Sequence, residues 1–144
     1  FTVRGDDIDY EAAVGGKDVA MRHLKEINAR LREERKAKDE DIQVSLQLVN
    51  EMLQRGYEFL PICLGKSRAT KYVLEDDKVR LPYASLKGVG ESAAIALEKA
   101  AEQGGYLSVE ELQSMSGVSS AVMETLRQAG ALGDLPDSNQ LSFF

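Results

Sequence analysis

Leu86-Lys87-Gly88-Val89-Gly90 and, 29 positions later, Met115-Ser116-Gly117-Val118-Ser119 decide how this chain is read. Each is a glycine–valine turn that runs into an apolar series at helical spacing. The offset persists along the helix. Ala93 matches Val122, Leu97 matches Leu126, Ala100 matches Ala129, and Gly104 matches Gly133. Both glycines stay in register, which predicts two copies of one turn-and-helix unit. A helix over Ser108–Met115 leads into the second turn.

Upstream, Ala20, Leu24, Ile27 and Leu31 fall on one face of a helix that starts near Asp18. Arg30 to Asp41 is almost entirely charged and is expected to fray into a solvated connection. Asp39 is expected to cap a second helix, carried by Ile42, Leu46, Val49 and Leu53 and closed by Gly56. The short polar link predicts an antiparallel pair. The period then changes. Phe59–Leu64 reads as a strand placed at an edge by Pro61. Lys71–Glu75 and Lys78–Leu81 read as a hairpin around Asp76-Asp77, stopped by Pro82. Phe1–Val3 reads as the end of a strand. The fold class expected is mainly α with a small β-hairpin element.

The chain has 144 residues, 43% hydrophobic and 29% charged, a balance that supports a core. Its longest apolar stretch, Phe59–Leu64, is far short of the roughly 18 residues of a membrane span. One cysteine, Cys63, excludes an internal disulfide and fits a reducing compartment. The start at Phe1, with no Met and no apolar leader, is expected of a fragment. Net charge is −6 and unevenly divided. Residues 1–83 carry 15 basic and 16 acidic side chains, whereas residues 84–144 carry 3 and 8. A broad cationic DNA-binding surface is thereby excluded. Any nucleic-acid contact must use main-chain donors and a few placed cations.

Gly88-Val89-Gly90 offers such donors. Glycines let a backbone approach a ligand closely. The helix that follows presents unpaired N–H groups and a positive dipole end, which together favour a phosphate read without regard to base. Lys87 adds a cation, Ser92 a hydroxyl, and Val89 is the apolar tip that tucks between helices. Gly117, Val118, Ser119 and Ser120 repeat the turn, with serine for the last glycine and no adjacent lysine. Paired helix-hairpin-helix units of this kind can hold both strands of a duplex. An ordinary turn between helices stands beside that reading. The tail Gln140-Leu141-Ser142-Phe143-Phe144 is suited to an apolar groove on a partner, since two phenylalanines bring roughly 3–6 kcal/mol of burial before ordering costs.

Other residue groups carry less. Gly65-Lys66-Ser67 lacks the glycine five positions earlier that a phosphate loop needs, because that position is Leu60. Asp7 and Asp9 could share a metal but read as solvated carboxylates. His23 reads as a surface or partner contact and Cys63 as a buried thiol. One Cys and one His cannot make a zinc site. Lys66, Arg68 and Lys71 form a small basic group beside Ser67 and Thr70, suited equally to a phosphate backbone or to solvent.

Arg55-Gly56-Tyr57-Glu58-Phe59-Leu60, Ser67, Ala69-Thr70, Leu86-Lys87-Gly88-Val89-Gly90 and Leu135-Pro136-Asp137-Ser138-Asn139-Gln140-Leu141-Ser142 occur in an order and spacing that resembles the C-terminal segment of the PolC-type DNA polymerase III alpha subunits. Phe1-Thr2-Val3-Arg4 resembles their fingers region, so the likeness covers the whole chain. The resemblance implies that residues 1–83 are the end of the polymerase fingers and residues 84–133 a tandem helix-hairpin-helix region gripping primer–template duplex DNA. Residues 134–144 would then be an extended C-terminal tail for the beta sliding clamp. Gln140, Leu141, Ser142 and Phe144 match that tail, and Phe143 stands where leucine is usual. The parent enzyme would be cytoplasmic and use magnesium at palm aspartates upstream. This segment would then have no catalytic residue, metal or cofactor of its own, would not polymerise alone, and would have the rest of the polymerase chain as a partner and no membrane.

Overall fold

The computed structural model describes residues 7–137. It is mainly helical, with six helices and a three-stranded sheet among those residues. Helices α1 (Tyr10–Gly15), α2 (Lys17–Glu33) and α3 (Ala37–Gln54) come first. Strands β1 (Glu58–Leu60), β2 (Val73–Glu75) and β3 (Lys78–Arg80) follow. A 3-10 turn, Tyr83–Ser85, leads to α4 (Glu91–Gln103), α5 (Val109–Ser116) and α6 (Ser120–Gln128).

The charged link is tighter than its composition suggests. Only residues 34–36 are non-helical between α2 and α3. Asn28 pairs with Gln43 and Arg30 with Asp39 across the two helices, so they run antiparallel as expected. Asp39 is not the cap. Lys36 holds that position, and Asp39 sits in the first turn of α3, where a carboxylate also favours the positive helix end. Ile27 and Leu31 of α2 face Leu46, Val49 and Leu53 of α3 in the common core. Gly56, at φ +93°, closes α3 by letting the Tyr57 amide reach back to the Met52 carbonyl (3.1 Å). Helix α1 was not anticipated, because six residues show too little period. Asp9 caps it, accepting from the Ala12 amide at 3.0 Å.

The sheet order is β1-β3-β2, with β1 parallel and β2 antiparallel to β3. Asp76 and Asp77 form the hairpin turn at φ +49° and +66°, the left-handed pair that a two-residue hairpin needs. Strand β1 is shorter than the expected Phe59–Leu64. It stops at Leu60 because Pro61 has no N–H for the ladder. Arg80, 8% exposed, then fastens the loop that follows. It forks onto both oxygens of Glu75 (2.6 and 2.9 Å) and donates to the Pro61 carbonyl (3.0 Å). That hydrogen-bonded pairing holds the Glu75 carboxyl below its usual range.

The loop after β1 crosses the expected division between residues 83 and 84. Leu64 donates to the Ala131 carbonyl, and Ala69 donates to the Glu98 carboxylate on α4. Tyr83 is wholly buried at the root of the first turn. Its hydroxyl accepts from the Gly65 amide (3.4 Å), and burial raises its pKa to about 12. The turn therefore grows from a rigid base.

Candidate nucleic-acid interface

The two turns are alike in backbone and unlike in chemistry. Gly88 (φ +99°) and Gly117 (φ +74°) take the left-handed conformation that glycine adopts without strain. The residue before α4, Gly90, has φ −73° and ψ 169°, while the residue before α6, Ser119, has φ −72° and ψ 160°. Exposure follows the same order in both. Gly88 and Gly90 are exposed around buried Val89, as Gly117 and Ser119 are around buried Val118. The two valines are packing residues, and the Val89 amide is already taken up by the Leu86 carbonyl (3.1 Å).

The helix starts differ. No side chain caps α4, so its first-turn amides face outward without a side-chain acceptor. Lys87 and Ser92 are exposed beside them. At α6, the Ser119 hydroxyl accepts from the Val122 amide (3.2 Å). The Ser120 hydroxyl lies 3.2 Å from Gln113 Nε2, which donates to it. The second start is thus satisfied from within.

The surroundings sharpen the contrast. A hollow of about 970 Å³ opens in front of the first turn. Its walls carry the cations Arg30, Lys38 and Lys87, the acids Asp9 and Glu11, and the apolar Ile8, Tyr10, Ile42, Leu86 and Val89. Arg30, Lys38 and Tyr10 lie some 50 residues upstream, and no sequence motif joined them to the turn. Beside the second turn, a hollow of about 470 Å³ is lined by Glu110, Gln113, Ser114, Gly117 and Val118, and its charge is negative. The turns are not independent supports. A Cβ on Gly88 would stand 3.7 Å from Thr125 Oγ1 on α6, so the first turn rests against the second unit.

The remaining sequence candidates have internal roles. Asp9 caps α1 through one oxygen and meets His23 Nδ1 through the other (2.5 Å), while Asp7 pairs with Lys38 (2.7 Å). His23 is therefore a half-buried partner of Asp9 rather than a free surface group. Cys63 is half-buried, with Sγ donating to the Leu64 carbonyl. The amides of Lys66 and Ser67 donate to the Cys63 carbonyl, which leaves no phosphate cradle there. Lys66, Arg68 and Lys71 do gather at one cleft of about 610 Å³, but Glu98 and Glu102 line it too, and Arg68 pairs with Glu98 (2.9 Å). No three His, Cys, Asp or Glu residues group to hold a metal among the described residues. No helix among them is long and apolar enough to cross a membrane. Gln140, Leu141, Ser142, Phe143 and Phe144 lie outside the described residues.

Comparison with known proteins agrees with this geometry. The helix-hairpin-helix motif family matches residues 56–141. Over its whole length the chain is 38% identical to the DNA polymerase III PolC-type of Bacillus cereus (strain ATCC 14579). It is 37% identical to that of Bacillus subtilis (strain 168). Against that of Streptococcus sanguinis (strain SK36) the identity is 35%, again over 100% of the chain. In each case the chain spans 10% of the relative's length. It belongs to the helix-hairpin-helix motif family, and its whole length is similar to a segment of PolC-type DNA polymerase III.

Proposed function

We propose that this chain is part of a bacterial replicative DNA polymerase, in which residues 84–133 form a tandem helix-hairpin-helix grip on primer–template duplex DNA. The first hairpin is the principal phosphate site. Gly88 and Gly90 admit the backbone of one strand to the amides at the start of α4, and Lys87 and Ser92 add a cation and a hydroxyl. The observation that carries this reading is the uncapped start of α4 behind an exposed glycine turn, set against a serine-capped twin at the same backbone angles. The second hairpin, through Gly117, Ser119 and Ser120, is the weaker contact or the structural support of the first.

Similarity to the polymerases supports the wider role. The parent protein would be a cytoplasmic, DNA-directed DNA polymerase that uses magnesium at residues elsewhere in its chain. This segment would contribute grip and tethering and would not polymerise by itself. Gln140–Phe144 would bind the beta sliding clamp and keep the enzyme near the primer end.

A second reading treats the hairpins as purely structural and the segment as a protein-interaction module. The excess of eight acidic over three basic residues in 84–144 favours it. Titrating the chain against duplex DNA and against a sliding clamp, each alone, separates the two. The proposal expects salt-dependent duplex binding without base preference, and clamp binding that vanishes on deletion of residues 140–144 while duplex binding persists. Clamp binding retained after that deletion refutes the tail assignment, and absence of duplex binding refutes the grip.

A further inference from the structure

We infer that the clamp-binding peptide leaves the fold from an anchored root, not a free leash, so that helices α5 and α6 set where the clamp sits; this rests on the tail reading above. The root is residues 134–137. The Leu135 amide donates to the Leu132 carbonyl (3.2 Å), and its half-buried side chain packs on the core. The next two carbonyls turn onto the start of α5. Pro136 accepts from the Val109 amide (2.8 Å) and Asp137 from the Glu110 amide (3.1 Å). These are amides that a helix start leaves without partners inside the helix. The adjoining donors are satisfied by a reciprocal pair, because Ser108 Oγ accepts from the Glu111 amide and the Glu111 carboxylate accepts from the Leu107 amide. Arg127 of α6 closes the arrangement with an ion pair from Nη1 to Asp137 Oδ1 (2.5 Å). The root is thus tied to two helices at once.

Only Ser138 and Asn139 separate Asp137 from Gln140. Three residues of chain span at most about 10 Å. A partner that grips Gln140 therefore stands within about 10 Å of the root, at a nearly fixed offset from the hairpin that rests on α6.

The test inserts twelve Gly/Ser residues between Asp137 and Ser138 of this chain. Affinity is measured for free sliding clamp and for clamp loaded on duplex DNA. Both chains should bind free clamp alike. On clamp-bearing duplex the insertion should lose about tenfold, because effective concentration falls roughly as the −3/2 power of tether length. Equal affinity of the two chains for clamp-bearing duplex overturns the inference alone, as does a parent chain that gains nothing from the duplex. Failure of the parent chain to bind free clamp refutes the tail reading and the inference with it. A second measurement needs no clamp. Deleting residues 134–144 should speed hydrogen exchange at the Val109 and Glu110 amides about tenfold and leave α4 unchanged, and unaltered exchange there also overturns the anchor.

Discussion

Gly90→Ser should make the protein more stable and a poorer DNA binder. The backbone at Gly90 (φ −73°, ψ 169°) is open to any residue, and a Cβ there meets nothing within 4 Å. Ser119 already occupies the equivalent position of the second unit, where its hydroxyl accepts from an amide of α6. Serine at 90 should copy that bond and cap α4. Serine is preferred over glycine at a cap by a few tenths of a kcal/mol. Loss of glycine's freedom in the unfolded chain adds about 0.4–1 kcal/mol. The sum, about 0.5–1.5 kcal/mol, should appear as a rise in Tm of a few degrees. The same bond removes an amide from the phosphate and places a hydroxymethyl group in its path. A hydrogen bond to a charged group contributes about 1.5–3 kcal/mol, so duplex affinity should fall roughly 10- to 100-fold. Fluorescence anisotropy with labelled duplex at several salt concentrations reads the loss, which should be equal for unrelated sequences. The slope of log K against log salt should not change, because no cation has been removed. A variant that gains stability and keeps its DNA affinity would show that the start of α4 plays no part in binding.

Three further outcomes are expected. Lys87→Ala should weaken duplex binding for every sequence and reduce the salt slope by about 0.9, the signature of one phosphate contact; an unchanged slope argues that Lys87 only decorates the surface. Glu91→Gln should strengthen binding about 2- to 5-fold, since this exposed carboxylate in the first turn of α4 repels an incoming phosphate with the energy of a surface charge pair, and weaker binding would contradict it. Burial raises the Tyr83 hydroxyl to about 12, so its contribution to stability is complete below the ordinary tyrosine value near 10 and is lost as pH rises through 12. Denaturation followed from pH 9 to 12 should therefore steepen with pH, and Tyr83→Phe should flatten that limb.

Local features were legible in the sequence because they carry a period or a conformational demand. The 29-residue offset located both turns, the valines proved buried and the glycines around Val89 exposed, and Asp76-Asp77 made the hairpin turn. The apolar spacing in α2 and α3 located the antiparallel pair. What was missed is held by long-range bonds between side chains and backbone, which leave no such trace. Tyr10 reaches the Ile62 amide, Glu98 receives Ala69, and Arg80 holds Pro61. The same limit hid half of the candidate interface. Arg30 and Lys38 read as parts of a charged, fraying link, yet continued helix brings them to the hollow before Gly88. The root at Pro136 and Asp137 read as polar and aperiodic because its order comes from its carbonyls, and every residue has one.

The contact between Gly88 and Thr125 has a mechanical consequence. Helix α6 braces the first loop from behind and, two residues further on, carries Arg127 with its hold on Asp137. A pull on the loop by a sliding duplex would pass along one helix into the base of the tail. Force travelling that route meets no hinge to absorb it.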